Sequence, residues 1–211
     1  MTETAKSYHH GNLAAAILER AAAIIDTQGI EALTLRGIAR DLGVSHGAPN
    51  RHFLNKAELL SALATDGWTR ALEATLGAAE ATGSDNAHTR LHAMGCGFLR
   101  WALNNRALFR TLSHPDVNRY ANDDLREAIS SYSQAIKAEV AATQTEARHP
   151  SVPLEALNLF TNAVPMGVAV LLINQAEFAA DHNDWEDPAR TEDMIKQVID
   201  LVVPPPASAA N

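Results

Sequence analysis

The sequence predicts an all-α protein with a small N-terminal helical domain and a larger C-terminal helical domain. Apolar residues recur every three or four positions along most of the chain, and no stretch alternates apolar and polar residues as a strand would. Capping residues and glycines divide this pattern into segments of helical length. The predicted domains are residues 1–56 and 57–203, followed by a tail, residues 204–211, that we expect to be disordered.

The composition is that of a globular protein from a reducing compartment. Its 211 residues are 46% hydrophobic, which is enough to form a sizeable core. The single cysteine, Cys96, excludes an internal disulfide. No segment resembles a secretory leader, and the longest apolar run, residues 163–173, is too short to span a bilayer. We therefore expect a cytoplasmic protein that does not enter a membrane.

The net charge of −8 is distributed unevenly along the chain. Residues 1–60 contain six basic and six acidic side chains, so the whole acidic excess lies in residues 61–211. A neutral N-terminal region can present a local basic face, whereas an acidic C-terminal region is repelled by nucleic acid. The charge distribution therefore permits nucleic-acid binding near the N-terminal end.

The N-terminal domain carries clear start and stop signals for its first two helices. Asn12 is a predicted N-cap for the first helix, and Gly29 is predicted to end it. Thr34 is predicted to cap the second helix, which ends at Gly43 because a glycine readily enters the left-handed region.

The next two helices are predicted from similar signals. Ser45 is predicted to cap a third helix, in which Pro49 would be the fourth residue. Only the first hydrogen bond of the helix would then be lost. Asn55 and Glu58 make a start resembling a capping box for a fourth helix.

A helix, a turn with Gly43 and a second helix form a helix-turn-helix pattern. The second helix of such a unit fits the DNA major groove, where its first residues meet base edges. We predict DNA contacts for the following residues of this unit: Arg36, His46, Gly47, Ala48 and Arg51. For the charged residues the alternative is a solvated helix face, and for the two small residues it is tight helix packing. Tyr8, His9 and His10 are expected to form either an arm over the minor groove or a disordered terminus.

Four motifs resemble the TetR family of bacterial transcriptional regulators. They are YHHGNL (residues 8–13), ALTLRGIARDLGVS (32–45), RHF (51–53) and KAELL (56–60). The resemblance covers roughly residues 8–68, and it is specific because the motifs occur in the right order at the right spacing. The rest of the chain is similar to the family only in its helical layout.

The resemblance implies a homodimer that binds a palindromic operator and a small-molecule pocket that controls the affinity for DNA. Thr34, Ser45, His52 and Lys56 match family positions that contact phosphates. Asn50 stands where the family usually has a tyrosine that anchors the sugar–phosphate backbone. Because Asn can bind a phosphate or an adenine edge, the operator sequence is expected to differ from that of relatives.

Bulky apolar residues of the C-terminal domain either fill an ordinary core or line a cavity for an effector. They are Trp68, Met94, Phe98, Trp101, Phe109, Phe160 and Met166. Large pockets in helical domains are lined by such residues. Pro165 is expected to kink its helix and open space beside it. Because this set carries almost no charge, the effector would be mainly apolar or aromatic, and no cofactor is expected.

The last two predicted helices, about residues 154–178 and 191–202, carry apolar stripes that a monomer would leave partly exposed. Pairing with a second copy gives a four-helix interface with two-fold symmetry. The residues expected in this interface are Leu157, Val164, Val168, Leu171, Ile195, Val198, Ile199 and Val202. These stripes therefore predict a homodimer.

His88, His92 and Cys96 lie at four-residue steps on one predicted helix. They could hold a soft metal ion, or they could line a pocket or pack in the core, which the apolar stripe beside them favours. No acid–base pair, metal set or phosphate loop indicates an enzyme. The predicted function is a ligand-responsive transcriptional repressor. The alternatives are a helical enzyme or binding protein with a vestigial DNA-binding domain, and an activator with the same fold.

Overall fold

The computed structural model describes residues 13–112, 114–145, 153–173 and 188–203. These residues contain helices and no strand, which confirms the predicted all-α class. The α-helices of the described residues are α1 (Leu13–Gln28), α2 (Leu35–Asp41), α3 (Lys56–Glu80), α4 (Ala87–Asn104), α5 (Arg106–Leu112), α6 (Pro115–Arg119), α7 (Asp123–Thr145), α8 (Leu154–Ile173) and α9 (Pro188–Val202). Short 3-10 helices span Ile30–Ala32 and Pro49–Arg51.

The chain divides into two compact units. The first, here called the head unit, holds the described residues up to Asp66 together with Ala107–Leu125. The second, here called the body unit, holds Gly67–Arg106 and the described residues from Arg126 onwards. The predicted cap Asn12, the predicted N-terminal arm and the predicted disordered tail lie outside the described residues.

The predicted signals of the first two helices are present at the expected positions. α1 ends at Gln28, and Gly29 follows with a φ of 82°. The hydroxyl of Thr34 accepts a hydrogen bond from the Gly37 amide at 3.1 Å, so Thr34 caps α2. Gly43 has a φ of 67°, which a side chain would strain. The apolar faces of these helices bury Ile17, Ile25 and Ile38 completely.

The third helix starts later than the sequence analysis predicted. The Ala48 amide donates to the Ser45 carbonyl at 2.9 Å, which closes a turn, and the 3-10 helix Pro49–Arg51 follows. Pro49 is therefore the first residue of a helix and not its fourth, so its missing N–H costs no helical bond. The predicted cap at Ser45 is wrong because Pro49 cannot donate to the Ser45 carbonyl.

The start of α3 confirms the paired role of Asn55 and Glu58. The Glu58 amide donates to Asn55 Oδ1 at 2.9 Å, and the Glu58 carboxylate accepts from the Leu54 amide at 2.6 Å. α3 then continues to Glu80. The turn after α3 contains Gly83, whose φ is 60°.

The helix α4 lies against α8 and α9 in the body unit. Asn86 caps it by accepting from the Thr89 amide at 3.0 Å. Gly97 permits close contact with α3, because a Cβ there would lie 2.8 Å from the Ala74 carbonyl oxygen. Gly95 likewise permits close contact with Ile199 of α9.

The helix α8 has one buried face and one exposed apolar face. Thr161, Pro165, Ala169 and Ile173 are buried at four-residue steps. The exposed apolar residues of α8 are Leu159, Phe160 and Leu171. Pro165 lies inside the helix, which continues on both sides of it.

α8 is long and apolar enough to cross a membrane, with a mean hydropathy of 1.8 over its most apolar 18 residues. The sequence argument about residues 163–173 is therefore wrong, because that run belongs to a helix of 20 residues. Membrane insertion does not follow, since the core helices of soluble proteins meet the same criterion. Only 22% of this window is buried within the chain.

Candidate DNA-binding surface and candidate effector cavity

The predicted DNA-contacting residues lie on α2, on the turn after it, on the 3-10 helix and at the start of α3. The exposed ones are Thr34, Arg36, Ser45, His46, Gly47, Asn50, Arg51 and His52, whereas Ala48 and Lys56 are half-buried. Pro49 and Phe53 are buried, and they hold the 3-10 helix against the rest of the head unit. The polar side chains of this segment are therefore left facing solvent.

A polar cleft of about 410 Å³ in the head unit brings some of these residues together. Thr34, Arg36 and His46 line it, together with Arg40 and Gln28, which the sequence analysis did not single out. The spacing of Arg36 and Arg40, one helical turn apart, was the signal that could have identified Arg40. The other residues predicted to contact DNA do not line this cleft; they are Ser45, Gly47, Ala48, Asn50, Arg51, His52 and Lys56.

An ion pair between α1 and α2 borders this cleft. Arg20 donates to Asp41 Oδ2 through Nε at 2.9 Å and through Nη2 at 2.7 Å. The hydrogen bond from Arg20 lowers the pKa of Asp41 below its ordinary value of 3.8, although desolvation opposes this effect. Asp41 therefore stays ionised at neutral pH, and its ion pair with Arg20 joins α2 to α1.

A second arginine of the head unit contacts the C-terminal end of α1. Arg110, on α5, donates through Nη1 to the carbonyl oxygens of Ile25 at 3.4 Å and Asp26 at 3.2 Å. The Ile25 carbonyl also accepts from the Gly29 amide at 3.1 Å. Carbonyls at a helix C-terminus carry partial negative charge, so a guanidinium there is favourable. The sequence analysis did not single out Arg110, because no local pattern links it to residues so far away in the chain.

The body unit contains a cavity of about 340 Å³ that is partly open to solvent. The predicted effector-contacting residues that line it are Trp68, Met94, Phe98 and Met166. Trp101 is instead buried beside Phe98, with ring centroids 6.1 Å apart. Phe109 is buried on α5 in the head unit, and Phe160 is exposed on α8. The structure thus brings four of the predicted residues together and leaves three elsewhere.

Tyr132 of α7 is a cavity residue that the sequence analysis missed. Its ring lies 5.0 Å from that of Trp68 and 5.8 Å from that of Phe98, measured between centroids. Burial raises its pKa above the usual range, so it remains a neutral phenol. The apolar spacing of Tyr132 with Ile136, which also lines the cavity, was the signal available in the sequence.

The lining of this cavity, within the described residues, contains no charged side chain. Its polar residues are Tyr132, Ser133, Thr161 and Asn162. The rest of the wall consists of apolar side chains and glycine from α3, α4, α7, α8 and α9.

The residues predicted for the dimer interface fall into two groups. Leu171 is exposed, and Leu157, Val164, Val168 and Val198 are half-buried. Ile195, Ile199 and Val202 are buried within the chain itself, and the last two line the cavity. Placing these three on an outward face is wrong, because α9 uses them to pack inside the body unit; its outward apolar residue is Leu201, 83% exposed.

The three possible metal ligands of α4 do not gather around one point. His92 Nε2 lies 2.9 Å from Asp200 Oδ1 of α9, and His92 Nδ1 lies 3.9 Å from Cys96 Sγ. His88 is buried elsewhere on the helix, and no group of three or more ligands suits a metal among the described residues. Burial raises the pKa of the Cys96 thiol to about 11, so it is protonated at neutral pH.

Comparison with known proteins agrees with this arrangement. The family model described as "Bacterial regulatory proteins, tetR family" matches residues 17–63, which contain α2, the turn and the 3-10 helix. Residues 17–63 therefore resemble the DNA-binding segment of TetR-family regulators. No curated protein matches the chain.

Solved structures match nearly the whole chain. A protein of unknown function from Rhodococcus sp. RHA1 is 27% identical, with a TM-score of 0.65 and coverage of 92% of this chain and 98% of that one. A regulatory protein in the tetR family from Rhodococcus RHA1 is 22% identical, with a TM-score of 0.68 and coverage of 89% and 97%. The regulator FadR from Bacillus subtilis, in complex with stearoyl-CoA, is 14% identical, with a TM-score of 0.68 and coverage of 90% and 98%. The chain has the all-α fold of these structures, and the match of its residues 17–63 to the family model supports a DNA-binding regulator of the TetR type.

Proposed function

We propose that this protein is a cytoplasmic repressor of the TetR type that binds a palindromic operator as a homodimer and is released from it by an apolar or aromatic small molecule. One observation carries the proposal. The same chain presents an exposed polar and basic surface on the head unit and contains an uncharged apolar cavity in the body unit.

The DNA-binding part of the proposal rests on the exposed segment from His46 to His52. Arg51 and His52 are exposed at the end of the 3-10 helix, beside the exposed Asn50. An arginine in this position can bind a guanine edge in two places, and an asparagine can do the same with adenine. Thr34, Arg36 and Arg40 of α2 supply the cationic and hydroxyl groups that neutralise phosphates and fix the register.

The effector part rests on the chemistry of the cavity. A volume of about 340 Å³ lies within the range of small-molecule sites. A charged molecule would lose its hydration there without gaining an oppositely charged partner. The FadR structure with stearoyl-CoA supports this part only in that a protein of the same fold contains a long apolar chain.

The dimer part rests on the outward face of α8 and α9. Phe160 and Leu171 of α8 and Leu201 of α9 are exposed in the single chain, and most of α8 is unburied. A second copy would bury this apolar face in a two-fold interface. Two-fold symmetry would then present two recognition segments to successive major grooves, roughly 34–36 Å apart on a palindrome.

Release would follow from a population shift. A molecule that binds more tightly to a body unit holding the two heads at the wrong separation favours that conformation, and the affinity for DNA falls accordingly. The size of the effect is limited by the difference in affinity of the molecule for the two conformations.

The experiment measures binding to the DNA upstream of the chain's own gene at fixed salt, with fluorescence anisotropy as the readout. We expect specific retention at physiological salt and release by apolar or aromatic compounds that also raise the melting temperature. A compound that occupies the cavity and leaves the affinity for DNA unchanged would contradict the proposed coupling. Absence of specific binding to any part of the upstream DNA would contradict the repressor itself.

A further inference from the structure

The wall that α8 contributes to the cavity is interrupted by a proline. Thr161, Asn162, Pro165 and Met166 all line the cavity. In a regular helix the amide of residue 165 would donate to the carbonyl of residue 161, but Pro165 has no N–H. The carbonyl of Thr161 is thereby deprived of its helical donor, on the buried face that α8 turns to the cavity.

Asn162, beside this carbonyl, has a fixed orientation. Its side-chain Nδ2 donates to the backbone carbonyl of Asn158 at 2.7 Å. A carbonyl can only accept, so the nitrogen of the amide must be the atom that faces it. The other amide atom, Oδ1, is left as a hydrogen-bond acceptor on a half-buried residue of the cavity wall.

The opposite wall carries two hydroxyl groups, on Tyr132 and Ser133. The Tyr132 phenol can donate or accept a hydrogen bond. The indole Nε1 of Trp68 is buried and is not exposed to the cavity. Ser133 is exposed at the edge and can donate or accept. The cavity therefore combines an apolar lining with acceptors concentrated at one place on α8.

We propose that the effector is an uncharged apolar molecule that carries a hydrogen-bond donor, a hydroxyl or an N–H, directed at Asn162 Oδ1 and the Thr161 carbonyl. The inference rests on the proposed effector cavity and names the class of molecule that it takes. A carboxylate or a phosphate is disfavoured at this position, because no cationic side chain of the described lining would compensate its charge. A plain hydrocarbon would displace water from the two acceptors without replacing its hydrogen bonds, which also costs affinity.

Two probes of nearly the same shape test the inference, 4-butylphenol and 4-butylanisole. Both have an apolar body, but only the phenol can donate a hydrogen bond. Isothermal titration calorimetry on the wild-type protein is expected to show that the phenol binds roughly tenfold more tightly than the ether. This ratio corresponds to the usual contribution of one hydrogen bond to affinity. Asn162→Leu, which keeps the volume and removes the acceptor, is expected to reduce this preference to about two- to threefold, the share left to the Thr161 carbonyl.

Two further variants separate the acceptors from the general shape of the cavity. Pro165→Ala restores an N–H for the Thr161 carbonyl and is expected to reduce the preference for the phenol by about two- to threefold. Met166→Leu is the matched control, since it lines the cavity without a hydrogen-bonding change; it should alter both affinities together and leave their ratio unchanged. Circular dichroism and melting temperature establish that each variant is folded, and Asn162→Leu alone decides the question if Pro165→Ala does not fold.

The outcomes separate this inference from the function on which it rests. Equal binding of phenol and ether by the wild type would overturn the donor requirement and leave the apolar cavity standing. A preference that persists in full in Asn162→Leu would show that the acceptors of α8 are not its cause. Failure of both probes to bind the folded wild-type protein at millimolar concentration would overturn the effector cavity and the inference together.

Discussion

The head unit and the body unit differ in the chemistry of the side chains that they expose. On the head unit most exposed side chains around the 3-10 helix are polar, among them His46, Arg51 and His52, and Leu54 is the large apolar exception. On the body unit Leu171 and Leu201 are exposed large apolar residues. A polar and cationic surface is complementary to a polyanion, whereas an apolar helical face is complementary to another apolar face. Under the proposed function, the surface of the head unit would meet DNA and the apolar face of the body unit would meet a second copy of the chain.

The interiors of the two units differ as well. In the head unit Ile17, Ile25 and Ile38 have no exposed surface. In the body unit five helices surround a cavity of about 340 Å³. Because this volume is not filled by side chains, the body unit lacks part of the packing energy that a filled core would supply. We infer that the head unit is built for a fixed geometry, as the major groove requires, and the body unit for a geometry that a small molecule can change.

Charge on the apolar face of the body unit should produce the largest effect. Leu171→Glu combined with Leu201→Glu changes two residues that are exposed in the single chain, so folding should be little affected. The paired carboxylates would repel each other across a two-fold interface. We expect monomers by light scattering and a loss of roughly 100-fold or more in affinity for a palindrome, because two linked half-sites no longer bind together.

Ser131→Glu, exposed on α7, is the control for an added carboxylate outside this face and should leave both properties unchanged. A double variant that remains dimeric would remove α8 and α9 from the proposed interface. A wild-type protein that is monomeric at micromolar concentration would contradict the two-half-site mechanism directly.

Removing the side chains of Arg51 and His52 should affect only the head unit. Arg51→Ala and His52→Ala are each expected to weaken operator binding by roughly 1–3 kcal/mol, with dimerisation and effector binding unchanged. Anisotropy titrations at several salt concentrations measure the loss and show whether a base contact or a phosphate contact was removed. Lys137→Ala, exposed on α7, is the matched control. Wild-type affinity in both head variants would exclude this segment from the DNA interface.

Glycine substitutions test the packing difference between the units. Gly97→Ala in the body unit would place a Cβ 2.6 Å from that of Ala78 and 2.8 Å from a backbone oxygen of α3, so the two helices must separate. We expect a loss of roughly 1–3 kcal/mol in the free energy of unfolding, measured in urea. Gly47→Ala in the head unit meets nothing within 4 Å and should leave stability unchanged. A stable Gly97→Ala variant would show that α3 and α4 can adjust freely.

Local signals in the sequence predicted the head unit well, except where proline intervenes. Thr34 and the pair Asn55 and Glu58 make the hydrogen bonds that their spacing implies, because a cap depends only on residues three or four positions apart. The start of the third helix was predicted wrongly because the loss of one donor at Pro49 was judged tolerable within a helix. In the structure that loss instead moves the helix start.

The body unit was less predictable because its features depend on contacts distant in sequence. Apolar spacing identified its helices but not which face each helix buries. Ile195, Ile199 and Val202 were therefore predicted to lie in the dimer interface. In the structure they are buried within the chain, where α9 packs against α4 and α8. Tyr132 was missed for the same reason, since its place beside Trp68 depends on how α7 packs against α3. The cavity itself is a property of five helices together, and no single segment encodes it.

The smallest expected effect concerns an ion pair that each unit carries between two of its helices. In the head unit Arg20 binds Asp41, and in the body unit Arg100 of α4 binds Glu192 of α9, with Nε donating to Oε2 at 2.6 Å. Hydrogen bonding to the arginine lowers the pKa of each carboxyl below its ordinary value, 3.8 for Asp41 and 4.5 for Glu192. The unfolded chain therefore takes up protons more readily than the folded one. Each pair stabilises the protein fully above about pH 5, and this stabilisation is lost as the pH falls through the folded pKa.

Hydrogen exchange between pH 3 and pH 7 would measure this loss in each unit separately. We expect Asp41→Asn to flatten the acid response of α1 and α2 alone, and Glu192→Gln to flatten that of α4 and α9 alone. Both effects should be small, because the side chains of these pairs are partly exposed and solvent screens them. Glu155→Gln, on the exposed start of α8, is the matched control and should retain the full response. If either substitution flattened the response of both units, the head and the body would unfold together, and the contrast between a fixed head and an adjustable body would need to be abandoned.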